Sequence, residues 1–168
     1  KEIDGKRVPL RFELITNAGN ETREKVGLVA IDEFKRSGID ASLRTLDWSI
    51  LLERANSFDF DGIIIGWMVS NLIPPDNYQI FHSSQAVEHG SNHVGFRNAE
   101  ADSLLERYRV EFDAAKRKEL YRRLQEILYE EKPYTFLFSP KELYAWDLRF
   151  RGVRRLLLLC ARVVHGLG

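Results

Sequence analysis

Asp61–Ser84 reads DGIIIGWMVSNLIPPDNYQIFHSS. Within it, Gly62-Ile63-Ile64-Ile65-Gly66 is a short β-branched run with no polar alternation, bounded by Asp61 and Gly66. Such a run predicts a strand covered on both faces, as in a parallel α/β sheet. Pro74 and Pro75 then remove two backbone donors and fix two φ angles, so the segment before Tyr78 is neither helix interior nor central strand. A core strand therefore delivers an aromatic residue, Trp67, into a loop of defined shape, where ligands are usually met.

The preceding residues supply the elements such a sheet needs. Leu10, Phe12 and Leu14 alternate with Arg11 and Glu13, predicting a first strand that ends near Ile15-Thr16. After Asn17-Ala18-Gly19, Asn20 or Thr22 caps a helix carrying Val26, Val29, Ala30 and Phe34 on one face, with Gly38 just beyond its end. Ile39, Ala41 and Leu43 mark a second strand, and Asp47 caps a short helix to about Ala55 with Ile50, Leu51 and Leu52 facing inward. This β-α-β-α-β order predicts a mostly parallel sheet with ligands beyond the carboxyl ends of its strands, so the Asn17–Asn20 loop and the loop after Trp67 share one rim.

The second half is mostly helical. Ala101, Leu104, Leu105, Tyr108 and Phe112 follow helical spacing after Asn98, and Leu120, Tyr121, Leu124, Ile127 and Leu128 do so after Asp113, giving a hairpin that stops before Pro133. Tyr134–Phe138 reads as a further strand and Glu142–Trp146 as a weaker one. The fold class is α/β, a mostly parallel sheet flanked by helices with a C-terminal helical hairpin.

Composition narrows the function. The 168 residues make one domain of ordinary size, and 44% hydrophobic content suffices to bury a core. The 25 basic and 25 acidic side chains cancel, so no field recruits nucleic acid or an anionic membrane. Lys116, Arg117, Lys118, Arg122 and Arg123 interleave with Glu119, Glu126, Glu130 and Glu131 as a self-paired, solvated helix face. The single cysteine, Cys160, cannot form an internal disulfide. No run reaches the roughly 18 apolar residues of a membrane span. Lys1 is neither an initiator methionine nor the start of a signal peptide, so the chain reads as cut from something longer.

Enzyme signatures are missing: there is no P-loop, dinucleotide glycine fingerprint, GxSxG or HExxH. His82, His89 and His93, with Asp76 and Glu88 nearby, could ligate a metal, but they lie in a Gly/Ser-rich loop without helical spacing, which favours loop hydrogen bonding. Asp59 with Asp61, and Glu130 with Glu131, could do acid–base work, but they read better as strand and helix ends in water. No cofactor is called for. Trp67 offers a large rigid face for packing at the sheet end or for stacking on a ligand, and Ser70, Asn71 and Asn77 add short polar groups to its loop.

IIIGW at 63–67, PDNYQIFHSS at 75–84 and the run from Ser91 to Phe138, with its Asn98-Ala-Glu-Ala-Asp102 and Asp113-Ala-Ala-Lys-Arg117 helix starts, carry a resemblance. Over about Pro9–Val153 the chain resembles the distal lobe of family 5 extracellular solute-binding proteins, the oligopeptide, dipeptide and nickel-type receptors of bacterial ABC importers. The resemblance implies a periplasmic-binding-protein-like lobe at 1–154; the apolar run at 155–168 departs from the family's pattern and reads as a terminal strand or helix completing the core, or equally as a reading-frame artefact. It also implies a monomeric periplasmic or membrane-anchored receptor that closes on a small solute or peptide with an N-terminal lobe absent from this chain and presents it to a membrane permease. Its ligand contacts would be Trp67, Met68, Val69, Ser70, Asn71 and Asn17.

This sequence departs from the pattern of such receptors at both charge partners. The acidic residue that holds a peptide ammonium just after Gly-Trp is replaced within Val69-Ser70-Asn71, and Asn17 stands nearest to the arginine that dipeptide receptors use for the ligand carboxylate. The usual Asp-Pro-Asp loop reads Ile73-Pro74-Pro75-Asp76. An unpaired ammonium is costly to bury, so these departures point to longer peptides read through backbone contacts, or to a non-peptide solute. Two other classes remain: a histidine-loop metal-binding protein, and a protein-interaction module using an apolar remainder of Tyr108, Arg109 and Tyr121.

Overall fold

The computed structural model describes residues 9–67 and 76–139, isolated residues 147 and 149, and the backbone of four short strands at 2–3, 6–7, 142–144 and 161–163. The chain divides into two compact units, Lys1–Gly66 with Ser83–Phe96, and Trp67–His82 with Arg97–Gly168.

In the first unit, β1 (Glu2–Ile3) and β2 (Lys6–Arg7) pair antiparallel, and β3 (Arg11–Asn17), α1 (Glu21–Arg36), β4 (Asp40–Leu46), α2 (Trp48–Asn56) and β5 (Gly62–Ile63) follow. The sheet order is β4-β3-β5, and both pairings are parallel. Leu14 lies opposite Leu43 on one side and Gly62 on the other. The Ile64 N–H continues the β5 pairing by donating to the Ile15 carbonyl at 2.9 Å. Asp61 fixes where this pairing begins, since its Oδ2 accepts the Glu13 N–H at 3.0 Å. Ile15, Leu46 and Leu51 form a core cluster, with Phe60 and Ile63 packed against it.

The helix ends follow local chemistry. Asn20 caps α1 by accepting the Arg23 N–H. At the other end Gly38, at φ +76°, donates to Lys35 while Ile39 donates to Phe34, a Schellman closure that favours glycine at the left-handed position.

Two expected inward residues face out. Val29 is 65% exposed, and Gly27 and Ile31 are the buried positions of α1, because α1 lies against β3 and β4 along a stripe one residue round from the one expected. Ile50 is 45% exposed while Leu51 and Ala55 are fully buried, since the two full inward places of α2 are four residues apart. Asp47 occupies the N-cap of α2 without a side-chain cap bond.

The second unit holds α3 (Tyr78–Phe81), α4 (Ala99–Val110) and α5 (Ala114–Glu131), and β6 (Glu142–Tyr144) pairs parallel with β7 (Ala161–Val163). Asn98 and Asp113 cap α4 and α5, accepting the N–H of Ala101 and of Lys116. Ala101, Leu104, Leu105 and Tyr108 are buried on α4, and Leu124, Ile127 and Leu128 on α5. Arg123 makes two bonds to Glu100 across the hairpin, at 2.7 and 3.1 Å. Phe112 departs from the expected stripe: α4 ends at Val110, and Phe112, in the turn, is 95% exposed.

The expected strand at Tyr134–Phe138 is not formed. An extended segment becomes a strand only with a paired neighbour, and among the described residues none pairs with it. Tyr134 turns inward instead, edge-on to Phe81 at 5.6 Å, and Phe136, Leu137 and Phe138 are exposed. Of the 155–168 tail, Ala161–Val163 is a strand, and the rest lies outside the described residues.

Leu51→Ala should lower the unfolding free energy of the chain by about 2–5 kcal/mol. Ile50→Ala should change it by less than about 0.5 kcal/mol. Urea unfolding of the two variants checks the inward face of α2.

Candidate functional site

The carboxyl edge of the parallel sheet is assembled from three chain segments of the first unit. β3 ends in Asn17, Gly19 turns the chain at φ +76° into the Asn20 cap, and Gly66 follows β5. The Ala18 N–H donates to the Leu46 carbonyl at 2.8 Å, which holds this loop to the end of β4. The Thr16 hydroxyl, fully buried, donates to the Ile64 carbonyl at 3.0 Å and ties β3 to the residue after β5.

Arg23, which the sequence reading passed over, completes this edge. Its guanidinium donates from Nη1 to Asn17 Oδ1 at 2.6 Å. Its Nη2 lies 3.1 Å from where a Cβ on Gly66 would stand, so the missing side chain of Gly66 admits it. The Asn20–Arg23 spacing of an N-cap was visible in the sequence, but the capping pattern gives no sign that the Arg23 side chain turns back over the strand ends.

Trp67 opens the second unit and is 39% exposed. Burial raises the Tyr134 phenol pKa, and the nearby Trp67 side chain opposes the rise. Asn77, at the start of α3, donates from Nδ2 to the Tyr121 hydroxyl at 3.0 Å. Met68, Val69, Ser70 and Asn71, together with Ile73, Pro74 and Pro75, lie outside the described residues.

The three histidines have separate surroundings. His82 is buried and stacks on Tyr78 with ring centroids 4.0 Å apart, its Nε2 lying 3.4 Å from Glu106 Oε1. His89 is an exposed loop residue at φ +62° whose N–H donates to the Asn56 carbonyl. His93 is buried, and burial lowers its pKa against the opposing effect of a hydrogen bond to the Ala55 backbone. The buried Asn92 beside it brackets Phe96, donating to its carbonyl and accepting its N–H. Among the described residues no three His, Cys, Asp or Glu converge on a metal position.

The carboxylates are likewise engaged in structure. Asp59 pairs with Arg54 at 3.1 Å, Asp61 accepts from the backbone of Glu13, and Glu131 accepts from Asn98. The surface proposed for an interaction module is not an apolar patch. Tyr108 is 8% exposed, Arg109 lies 4.5 Å over the Tyr78 ring and pairs with Asp76, and Tyr121 is held by Asn77. All three pack among α3, α4 and α5.

A parallel sheet flanked by helices, with polar groups gathered at its carboxyl edge, defines an α/β domain of the periplasmic-binding-protein type. The model for bacterial extracellular solute-binding proteins, family 5 Middle, matches residues 1–88, and the chain belongs to that family. It is similar to the oligopeptide-binding protein AppA of Bacillus subtilis, 36% identical over 153 residues, covering 90% of this chain and 27% of AppA. The structure of AppA in complex with a nonapeptide superposes with a TM-score of 0.72 at 37% identity, over 82% of this chain and 27% of that one. An oligopeptide-binding protein from Thermus thermophilus, complexed with a pentapeptide, gives 0.66 at 30% identity over 79% and 25%. NikZ from Campylobacter jejuni, in complex with Ni(L-His), gives 0.66 at 25% identity over 79% and 26%. The chain therefore spans about a quarter of the length of these relatives.

Because burial depresses the His93 pKa below 6.5, the unfolded chain binds a proton there that the folded chain does not. Its contribution to stability is present above pH 6.5 and is lost as the pH falls through the folded-state value. Unfolding free energies measured from neutral to acidic pH should fall more steeply for the parent than for His93→Gln.

Proposed function

We propose that this chain is the ligand-binding lobe of the extracytoplasmic receptor of a bacterial ABC importer for peptides or related solutes. The observation that carries this reading is the family match together with a parallel sheet whose carboxyl edge gathers Asn17, Asn20, Arg23 and Gly66. In this reading residues 1–154 form one α/β lobe of a two-lobed protein and 155–168 a terminal apolar tail. A second lobe closes over the solute, a membrane permease receives it, and the receptor is a periplasmic or membrane-anchored monomer without catalytic activity.

The proposed solute contacts are Trp67, Asn17, Met68, Val69, Ser70 and Asn71. Trp67 supplies a partly exposed aromatic face. Neutral Val69, Ser70 and Asn71 leave a peptide ammonium without the charge partner it would need if fully buried. This favours peptides read along their backbone over short zwitterions. AppA and the Thermus protein, solved with a nonapeptide and a pentapeptide, support the longer class.

In the complete gene product that contains this chain, Trp67→Ala should weaken binding of a randomised pentapeptide pool by about tenfold, from loss of aromatic contact area. Tyr129→Ala, on the exposed side of α5, should leave it unchanged. Isothermal titration checks both, and equal affinity of the Trp67 variant and the parent would remove Trp67 from the site.

A further inference from the structure

We propose that Arg23 is a positioning residue that fixes the polarity of Asn17, so that the sheet edge presents the solute with a hydrogen-bond donor and selects an acceptor there. The inference rests on the peptide-receptor reading above and adds the chemistry of one contact to it.

The argument starts from what a guanidinium can do. It has only N–H donors and no acceptor, so the amide atom facing Arg23 Nη1 at 2.6 Å must be the Asn17 oxygen. A free asparagine could turn its amide over and offer either end; Asn17 cannot, because the turned amide would set two donors against each other. The charge assists this bond, making it stronger than one between neutral groups. Arg23 holds one of the two Oδ1 lone pairs, and its positive charge disfavours a cation at the other; Nδ2 is left to meet the solute, one of its hydrogens being given to the Ala18 carbonyl at 3.2 Å. The other has no acceptor among the described residues.

Arg23 is itself held in place. Its backbone N–H is bound by the Asn20 cap at 3.0 Å, which anchors it in the first turn of α1. Its Nη2 sits against Gly66, and any side chain at that position would bring a Cβ within 3.1 Å of it. The guanidinium therefore spans the end of β3 and the segment that follows β5, and among the described residues no carboxylate pairs with it. Asn17 is thus locked as a donor at the carboxyl edge. A carbonyl or carboxylate oxygen of a peptide fits it, and an ammonium does not.

The test uses the complete gene product with randomised pentapeptide and nonapeptide pools, each with free and with amidated C-termini. Asn17→Asp keeps an acceptor for Arg23 and so keeps the thermal midpoint, yet it should weaken binding roughly tenfold, as much as Asn17→Ala, because the donor is gone. Arg23→Met should weaken binding several-fold in the parent and less than twofold in the Asn17→Ala background, and Arg23→Lys should restore most of the loss. A purely structural Arg23 would lower the thermal midpoint and leave affinity alone. Loss of the Asn17 effect on amidation assigns the acceptor as the terminal carboxylate, and its persistence assigns a backbone carbonyl. Unchanged affinity in Asn17→Asp, or additive effects of Arg23→Met and Asn17→Ala, would overturn the proposal. A parent that binds none of the pools would instead overturn the peptide-receptor reading and this inference with it.

Discussion

Everything in the first unit depends on β3 having a parallel partner on each side. A parallel pairing cannot be closed by a tight turn, so each neighbour must be reached by a crossover, and α1 and α2 are those crossovers. Because the three strands run the same way, their ends coincide. Asn17, Leu46 and Gly66 are remote in sequence but finish on one edge, where Ala18 can bind Leu46 and Arg23 can reach both Asn17 and Gly66. The buried Thr16 hydroxyl reinforces the junction from inside the sheet, where an unmade bond would be most costly.

The strand and helix order was legible because its signals are local. Alternation at Leu10, Phe12 and Leu14, caps at Asn20, Asn98 and Asp113, and glycine after Arg36 each act within a few residues. What the sequence could not settle depends on partners far along the chain. Val29 and Ile50 are apolar and sit next to buried positions, and only the placement of the sheet decides which of two adjacent residues turns inward. Phe112 continues the α4 periodicity on paper, but the helix stops two residues earlier. Tyr134–Phe138 has strand composition, yet composition carries no information about whether a neighbour is there to pair with it. The candidate site divides in the same way. Trp67 and Asn17 could be named because they follow strands, whereas Arg23 lies inside a helical stretch and acts only once its side chain folds back.

The zero net charge fits the picture of a surface whose charges answer one another. Arg123 meets Glu100 and Glu126, Arg36 meets Asp32 and Glu33, and Arg54 meets Asp59 and Glu13. Exposed pairs of this kind add little stability. Arg23 instead binds a neutral amide, at the carboxyl edge of the sheet.

The position of Trp67 just beyond Gly66 has a consequence for what a receptor of this kind can discriminate. Its exposed part, 39% of the residue, is mostly a flat π surface. Such a surface registers the breadth of whatever lies on it and is indifferent to its functional groups. A receptor with such a surface in its site would accept many side-chain sequences on a single backbone, which is the grammar of a scavenger rather than of a sensor.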